Sequence, residues 1–293
     1  MLFSNVPLNE RSGVRMENRF GICEWSMPVR GTEAIKFAAR IGFDGIQIGE
    51  AGGRLESFPL NDMRTQQNYK EAAEKYGIQI HSLNLGSLLQ EGTLNRSPDS
   101  NEGRYARESI LKALEVCNAL GIKTIVITAD PSTEEEMENA AAHIRFAAKE
   151  AGMTGIEIAV ESADTAEQIG RLLYMTGAGK QGSNVKLCMD ILNPLRFNTG
   201  NPWEQIQIFG REMISHFHMK DSLKSLFNPG ERGCVILGTG DGGYQKSAEA
   251  IKKIGFEGWF ITENYYYLPP MNGENKDFSI FAAKDLSIMK KSI

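Results

Sequence analysis

The sequence predicts a single (β/α)8 TIM barrel, and three observations carry that prediction. Eight short apolar runs alternate with helix-period segments along 293 residues, which is the arithmetic of a closed parallel barrel. No linker or break in composition divides them. Five of the runs also share one phrase: a helical end, then glycine, then a β-rich stretch. A doubly wound open sheet is the alternative, but no glycine-rich dinucleotide loop follows the first run. The barrel is expected over residues 19–293, behind an N-terminal extension over residues 1–18.

Taken in order, "RFGICEW" from Arg19 is the first strand. "AARIGFDGIQIGE" closes a helix at Gly42 and starts the second, and "AEKYGIQIHSLNL" does the same at Gly77 for the third. The helix "ESILKALEVCNAL" places Ile110, Leu111, Ala113, Leu114 and Cys117 on one face, and Gly121 passes the chain to "IKTIVITA", the fourth strand. "PSTEEE" predicts Ser132 as a helix N-cap with Glu135 completing a capping box. That helix ends in "AKEAGMTGIEIAVES", with Gly152 at its turn and the fifth strand beyond it. "VKLCMDIL" from Val185 and "MISHFHMKD" from Met213 are the sixth and seventh strands, and "IKKIGFEGWFITEN" supplies the eighth after Gly255. Each of the five glycines falls where a helix takes a left-handed residue to stop. The runs that follow are rich in Ile, Val and Phe, apolar on both faces, as strands buried in a parallel sheet are.

Composition excludes several classes. The chain is 41% hydrophobic and 24% charged, enough apolar material for a sizeable core. A net charge of −5 opposes broad phosphate-backbone binding, so no nucleic-acid partner is expected. Cys23, Cys117, Cys188 and Cys234 are widely spaced without a CxxC pair, which predicts a reducing, cytoplasmic setting. The first residues are polar, without the apolar core of a signal peptide, and no apolar run reaches membrane-spanning length.

In a barrel the chemistry sits at the C-terminal ends of strands. Those ends carry Glu50, the His81 to Asn84 region, Thr128, Glu161, Asp190, His218 and Glu263. The last four close consecutive strands, "IAVES", "LCMDIL", "FHMKD" and "FITEN", and all are metal-ligand types. Three carboxylates brought to one spot are costly without a cation. Oxygen donors with a single nitrogen suit Mn²⁺ or Mg²⁺, with Co²⁺ or Zn²⁺ as alternatives. His216 and His218 share a face because strand side chains alternate. His218 lies nearer the mouth and is the ligand candidate; His216, roughly 6–7 Å deeper, reads as a core histidine or a neighbour of the ligands.

The "HFHMKD" strand, the loop "ILGTGDGGY" from Ile236 to Tyr244 and the closing "ITEN" resemble the xylose isomerase-like TIM-barrel superfamily of sugar phosphate isomerases and epimerases, from about Arg19 onward. The resemblance implies a metal held by Glu161, Asp190, His218 and Glu263. It also implies that Glu161 and Glu263 act as acid and base on opposite faces of a carbohydrate substrate, as in the ketose 3-epimerase branch, and that the protein assembles as a homodimer or homotetramer. Two positions depart from that branch: Asn193 stands where a histidine is usual and Lys224 where an arginine is usual, both at places that hold the ketose. A dehydratase of a cyclic polyol or keto-sugar would use the same site, and a non-catalytic sugar-binding protein is the remaining reading. Trp25, Glu50 and His81 are further substrate-contact candidates, and Tyr265 to Tyr267 either wall the pocket or pack a loop. The glycine loop either presents N–H groups to a phosphate or is a tight turn without a ligand. Four residues below Glu161 and Asp190, the pair Glu157 and Lys186 is expected to face inward as an ion pair at the barrel floor.

Overall fold

Parallel neighbours cannot be joined by a hairpin, so every strand of a parallel barrel needs a crossover, and here helices supply them. The computed structural model describes residues 17–49, 58–228, 230–271 and 277–293. Its strands are β1 (Arg19–Cys23), β2 (Gly45–Gly49), β3 (Gln79–Asn84), β4 (Thr124–Thr128), β5 (Glu157–Glu161), β6 (Val185–Asp190), β7 (Ile214–Met219) and β8 (Trp259–Thr262). They pair in chain order, all parallel, and β8 pairs back onto β1 to close a (β/α)8 barrel. The 1–18 extension lies outside the described residues except for its last two. No helix among the described residues is long and apolar enough to cross a membrane.

The strands are apolar on both faces because both are covered. Outward residues such as Ile22, Ile46, Ile158 and Phe217 pack against the helices, while Val126, Ala159 and Cys188 form a small apolar layer inside the barrel. Trp259 plugs the floor: its ring lies 2.6 Å from where a Cβ on Gly45 would stand, so a side chain there would displace it. The expected Glu157–Lys186 pair is present, with 3.5 Å between charged atoms.

Three local expectations are corrected. Gly42, Gly77, Gly121 and Gly255 do take left-handed conformations, but Gly152 ends the helix Glu134–Gly152 and the positive φ falls on Gly155. The cap of that helix is Thr133 rather than Ser132, and Glu136 rather than Glu135 reaches back to the Ser132 N–H. Leu111 is 42% exposed, while Ile110, Ala113, Leu114 and Cys117 are buried; the apolar face of that helix is narrower than its composition implies.

Candidate metal centre

Alternation along the strands brings the four expected ligands together. Glu161 ends β5, Asp190 ends β6, His218 is the inward residue near the end of β7, and Glu263 follows β8. One donor atom from each lies within 4.8 Å of the others, and all four residues are buried. Ligands at roughly 2.0–2.6 Å from a shared ion stand no further apart than about twice that distance, so the four can share one cation.

Each carboxylate has one oxygen tied down and the other turned inward. Asp190 Oδ1 accepts from the Leu192 and Asn193 N–H groups, both at 2.7 Å. Glu161 Oε2 accepts from Thr128 Oγ1 at 3.3 Å, and Glu263 Oε1 from Trp25 Nε1 at 2.9 Å. The inner oxygens of the two glutamates reach His218, whose Nδ1 is 3.0 Å from Glu161 Oε1 and 3.3 Å from Glu263 Oε2. Its other nitrogen, Nε2, is 2.7 Å from Gln47 Oε1. Both ring nitrogens therefore meet acceptors, and a neutral imidazole has only one N–H. Either the ring is charged or a cation stands between Nδ1 and the carboxylates.

The electrostatics make the same demand. Burial alone would pull His218 down, but Cys188, Glu161 and Glu263 outweigh it and hold the ring well above its ordinary range. Burial would raise Glu263, yet Lys220 and His218 hold it well below the usual carboxylate range. Asp190 Oδ2 is buried without a hydrogen bond, although the Lys220 ammonium is 2.7 Å away. A buried, under-satisfied carboxylate oxygen, two more beside it and an imidazole lone pair fit one divalent cation.

The other candidates separate. Trp25 reaches the cluster through its bond to Glu263, and Asn193 touches Asp190 through its backbone. Lys224 does not arrive: it is exposed, with its N–H on Asp241. His81 is a layer too deep, packed between Trp259 and His216 at centroid distances of 4.7 and 4.9 Å. Glu50 lies outside the described residues. His216 is buried with Nε2 unpartnered, edge-on to His218 at 5.6 Å, which fits a core histidine. Tyr266 packs inward, bonded to Asp285, whereas Tyr265 stands beside Glu263.

Two residues of the site were not anticipated. Gln47 orients His218, and Lys220 Nζ lies 2.7 Å from both Asp190 Oδ2 and Glu263 Oε2. Lys220 had a legible signal: His216, His218 and Lys220 follow the two-residue strand period onto one face. The phosphate reading of the glycine loop is corrected as well. The N–H groups of Gly238, Gly240 and Gly242, with that of Ser222, point to the Asp221 carboxylate at 2.9–3.0 Å. A Cβ on Gly240 or Gly242 would come within 2.5 or 2.6 Å of Asp221 Oδ1. The cradle is filled by the chain's own anion.

Comparison with known proteins agrees with the fold. The chain is 24% identical over 247 residues to a 2-epi-5-epi-valiolone 7-phosphate 2-epimerase of Actinoplanes sp., covering 81% of this chain and 83% of that one. Its fold superposes on a D-allulose 3-epimerase from Methylomonas sp., solved in complex with D-allulose, with a TM-score of 0.72 at 20% identity over 95% of this chain and 98% of that one. The IOLI protein, solved with a bound zinc atom, gives 0.72 at 16% identity over 94% and 97% of the two chains. The pattern of one family matches residues 35–280, and the chain belongs to that family, the xylose isomerase-like TIM barrels.

Proposed function

We propose that this protein is a divalent-metal-dependent isomerase or epimerase of a sugar or sugar phosphate, moving a proton next to a carbonyl through an enediolate. The observation that carries the reading is the pair Glu161 and Glu263, both within reach of His218 Nδ1 at 3.0 and 3.3 Å. Two carboxylates of different strands brought to one small space could take a proton from one face of a substrate and return it to the other. The similarity to a cyclitol phosphate 2-epimerase and to a ketose 3-epimerase supports a small carbohydrate as substrate.

Glu161, Asp190, His218 and Glu263 would hold the cation, Mn²⁺ or Mg²⁺ by donor type with Co²⁺ or Zn²⁺ as alternatives, and a bound cation supplies charge to a developing oxyanion. The remaining steps belong to the chain. Thr128 fixes the outer oxygen of Glu161 and Trp25 that of Glu263, so each inner oxygen is aimed. Lys220 and His218 keep Glu263 charged. The indole of Trp25 offers an apolar wall to a sugar ring. Such positioned proton transfer contributes about 10²–10⁴-fold. Return to the opposite face gives an epimer, and return to the neighbouring carbon an isomer. Four buried, unpaired cysteines fit a reducing, cytoplasmic setting.

Incubation with ketoses, aldoses, inososes and their phosphates in D₂O with Mn²⁺ tests this reading. Solvent deuterium is expected at the carbon next to the carbonyl of one substrate, together with an epimer or isomer. Loss of water from the substrate would mark a dehydratase instead, and no exchange with any member of the panel would defeat the enzyme reading.

A further inference from the structure

We propose that Lys220 is a built-in counter-ion of the metal centre, an ammonium that holds the metal-free protein together and sets the charge a bound cation must neutralise. The inference rests on the divalent-cation reading above and goes beyond it, because it concerns what the site does without its metal and which ions it prefers.

The charge count is direct. Glu161, Asp190 and Glu263 bring three negative charges, and all are buried. Among the described residues, Lys220 is the one lysine or arginine paired with them, 2.7 Å from both Asp190 Oδ2 and Glu263 Oε2. Lys220 is itself only 5% exposed, so its charge is little screened by solvent. A histidine that ligates a cation is neutral, so with His218 in that form and the ammonium counted, the centre asks for two positive charges rather than three.

The ammonium and a metal also share oxygens. Asp190 Oδ2 and Glu263 Oε2 are the inward atoms of their carboxylates, so an ion bound there has Nζ as a like-charged neighbour, and like charges at contact oppose one another. The ligands do not need Lys220 to stay aimed. Asp190 is held through Oδ1 by two backbone N–H groups, Glu263 through Oε1 by Trp25, and Glu161 through Oε2 by Thr128. Removing the ammonium therefore removes a competitor while leaving the donor set in place. A residue that merely propped up the ligands would have the opposite effect.

The test is cation affinity, read by calorimetry on purified, metal-free protein. Wild type is expected to remain folded after chelation and to bind one Mn²⁺ per chain. Lys220→Met is expected to bind Mn²⁺ about tenfold more tightly, or better, and to gain still more for Tb³⁺, whose extra charge matches three unpaired carboxylates. Trp25, bonded to Glu263, makes the Tb³⁺ arm readable as sensitised luminescence. Without metal the Met variant should melt lower than wild type, and Mn²⁺ should restore it. Lys220→Gln, neutral but able to donate to the same oxygens, is the second variant should Met fold poorly; it too should bind more tightly. Lys220→Arg keeps the charge and should stay near wild-type affinity. Unchanged or weaker binding by the neutral variants, or unfolding of wild type on chelation, overturns the proposal. Wild type that binds no divalent cation would instead defeat the metal reading beneath it.

Discussion

A ligand histidine is only as useful as the tautomer it is held in, and in this centre Gln47 holds it. Its Oε1 lies 2.7 Å from His218 Nε2, so in the neutral ring that a cation requires the proton sits on Nε2 and the Nδ1 lone pair is left for the cluster. Gln47→Leu should weaken Mn²⁺ binding about 10–100-fold without unfolding the barrel, as titration of the metal-free variant would reveal. His218→Ala should lose the ion, whereas His216→Ala should keep one per chain, since His216 touches His218 only edge-on. Elemental analysis showing metal retained without His218 would remove it from the ligand set. Glu161→Gln and Glu263→Gln should each drop turnover by about 10²-fold or more; near-normal rates in either would end the two-glutamate mechanism. The four clustered residues were legible because each stands at or near a strand end in a chain whose strands could be counted. Gln47 was not, because "GIQIG" was read as a strand apolar on both faces, and its one amide faces a polar interior made by residues far along the chain. His81 is the third of six residues in β3, and barrel stagger with the irregular β2–β3 register decides its height.

At the level of elements, the loop from Ile236 to Tyr244 is organised by Asp221 rather than by a ligand. Its carboxylate takes four backbone N–H groups from Ser222, Gly238, Gly240 and Gly242, and no sequence spacing announces that an anion-shaped cradle is occupied from within. Asp221→Ala would leave those donors without their acceptor, and the two at buried residues, the N–H groups of Ser222 and Gly242, would cost about 1–3 kcal/mol each before any rearrangement. A loss of several kcal/mol is expected in chemical denaturation, and Gly240→Ala or Gly242→Ala should do comparable harm by pressing a Cβ into the same carboxylate. A denaturation midpoint unmoved in all three would show that the loop is held by something else. The Glu157–Lys186 pair makes the contrast. It was legible from parity alone, four residues below two strand ends, and it is present. Yet its side chains are 28% and 39% exposed and their charges 3.5 Å apart, so either alanine variant should change stability by no more than about 1 kcal/mol. The same parity rule located a pair that matters little and, not carried past His218, missed the lysine at the centre.

Across the whole molecule, the interior of the barrel holds buried histidines beside a small apolar layer and under a charged mouth, and this gives stability a pH dependence with a definite sign. Burial, with a smaller push from His218, lowers His81 to about 3. Burial, then His81 and His218, holds His216 well below its ordinary range. An unfolded histidine titrates near 6.5. For a group depressed in the folded state, the stabilisation is complete above the unfolded value and is lost as pH falls toward the folded one. Each ring thus removes about 1.4 kcal/mol per pH unit below 6.5. The total curve is a sum with terms of the other sign: burial raises Asp285 to about 7, and a carboxyl raised in the folded state stabilises increasingly as pH falls over that range. Metal-free His218, raised well above its ordinary value, is charged in both states below 6.5 and adds no slope there. A variant difference isolates the histidine. His81→Leu should cost most at pH 7.5 and less by up to about 2.7 kcal/mol at pH 4.5, because the variant no longer carries the proton that the unfolded wild type takes up. Denaturant titrations of metal-free wild type and variant across that range decide it. Parallel stability curves would mean that His81 is protonated or solvated in the folded protein, and the packing of His81 against His216 beneath the candidate metal centre would have to be redrawn.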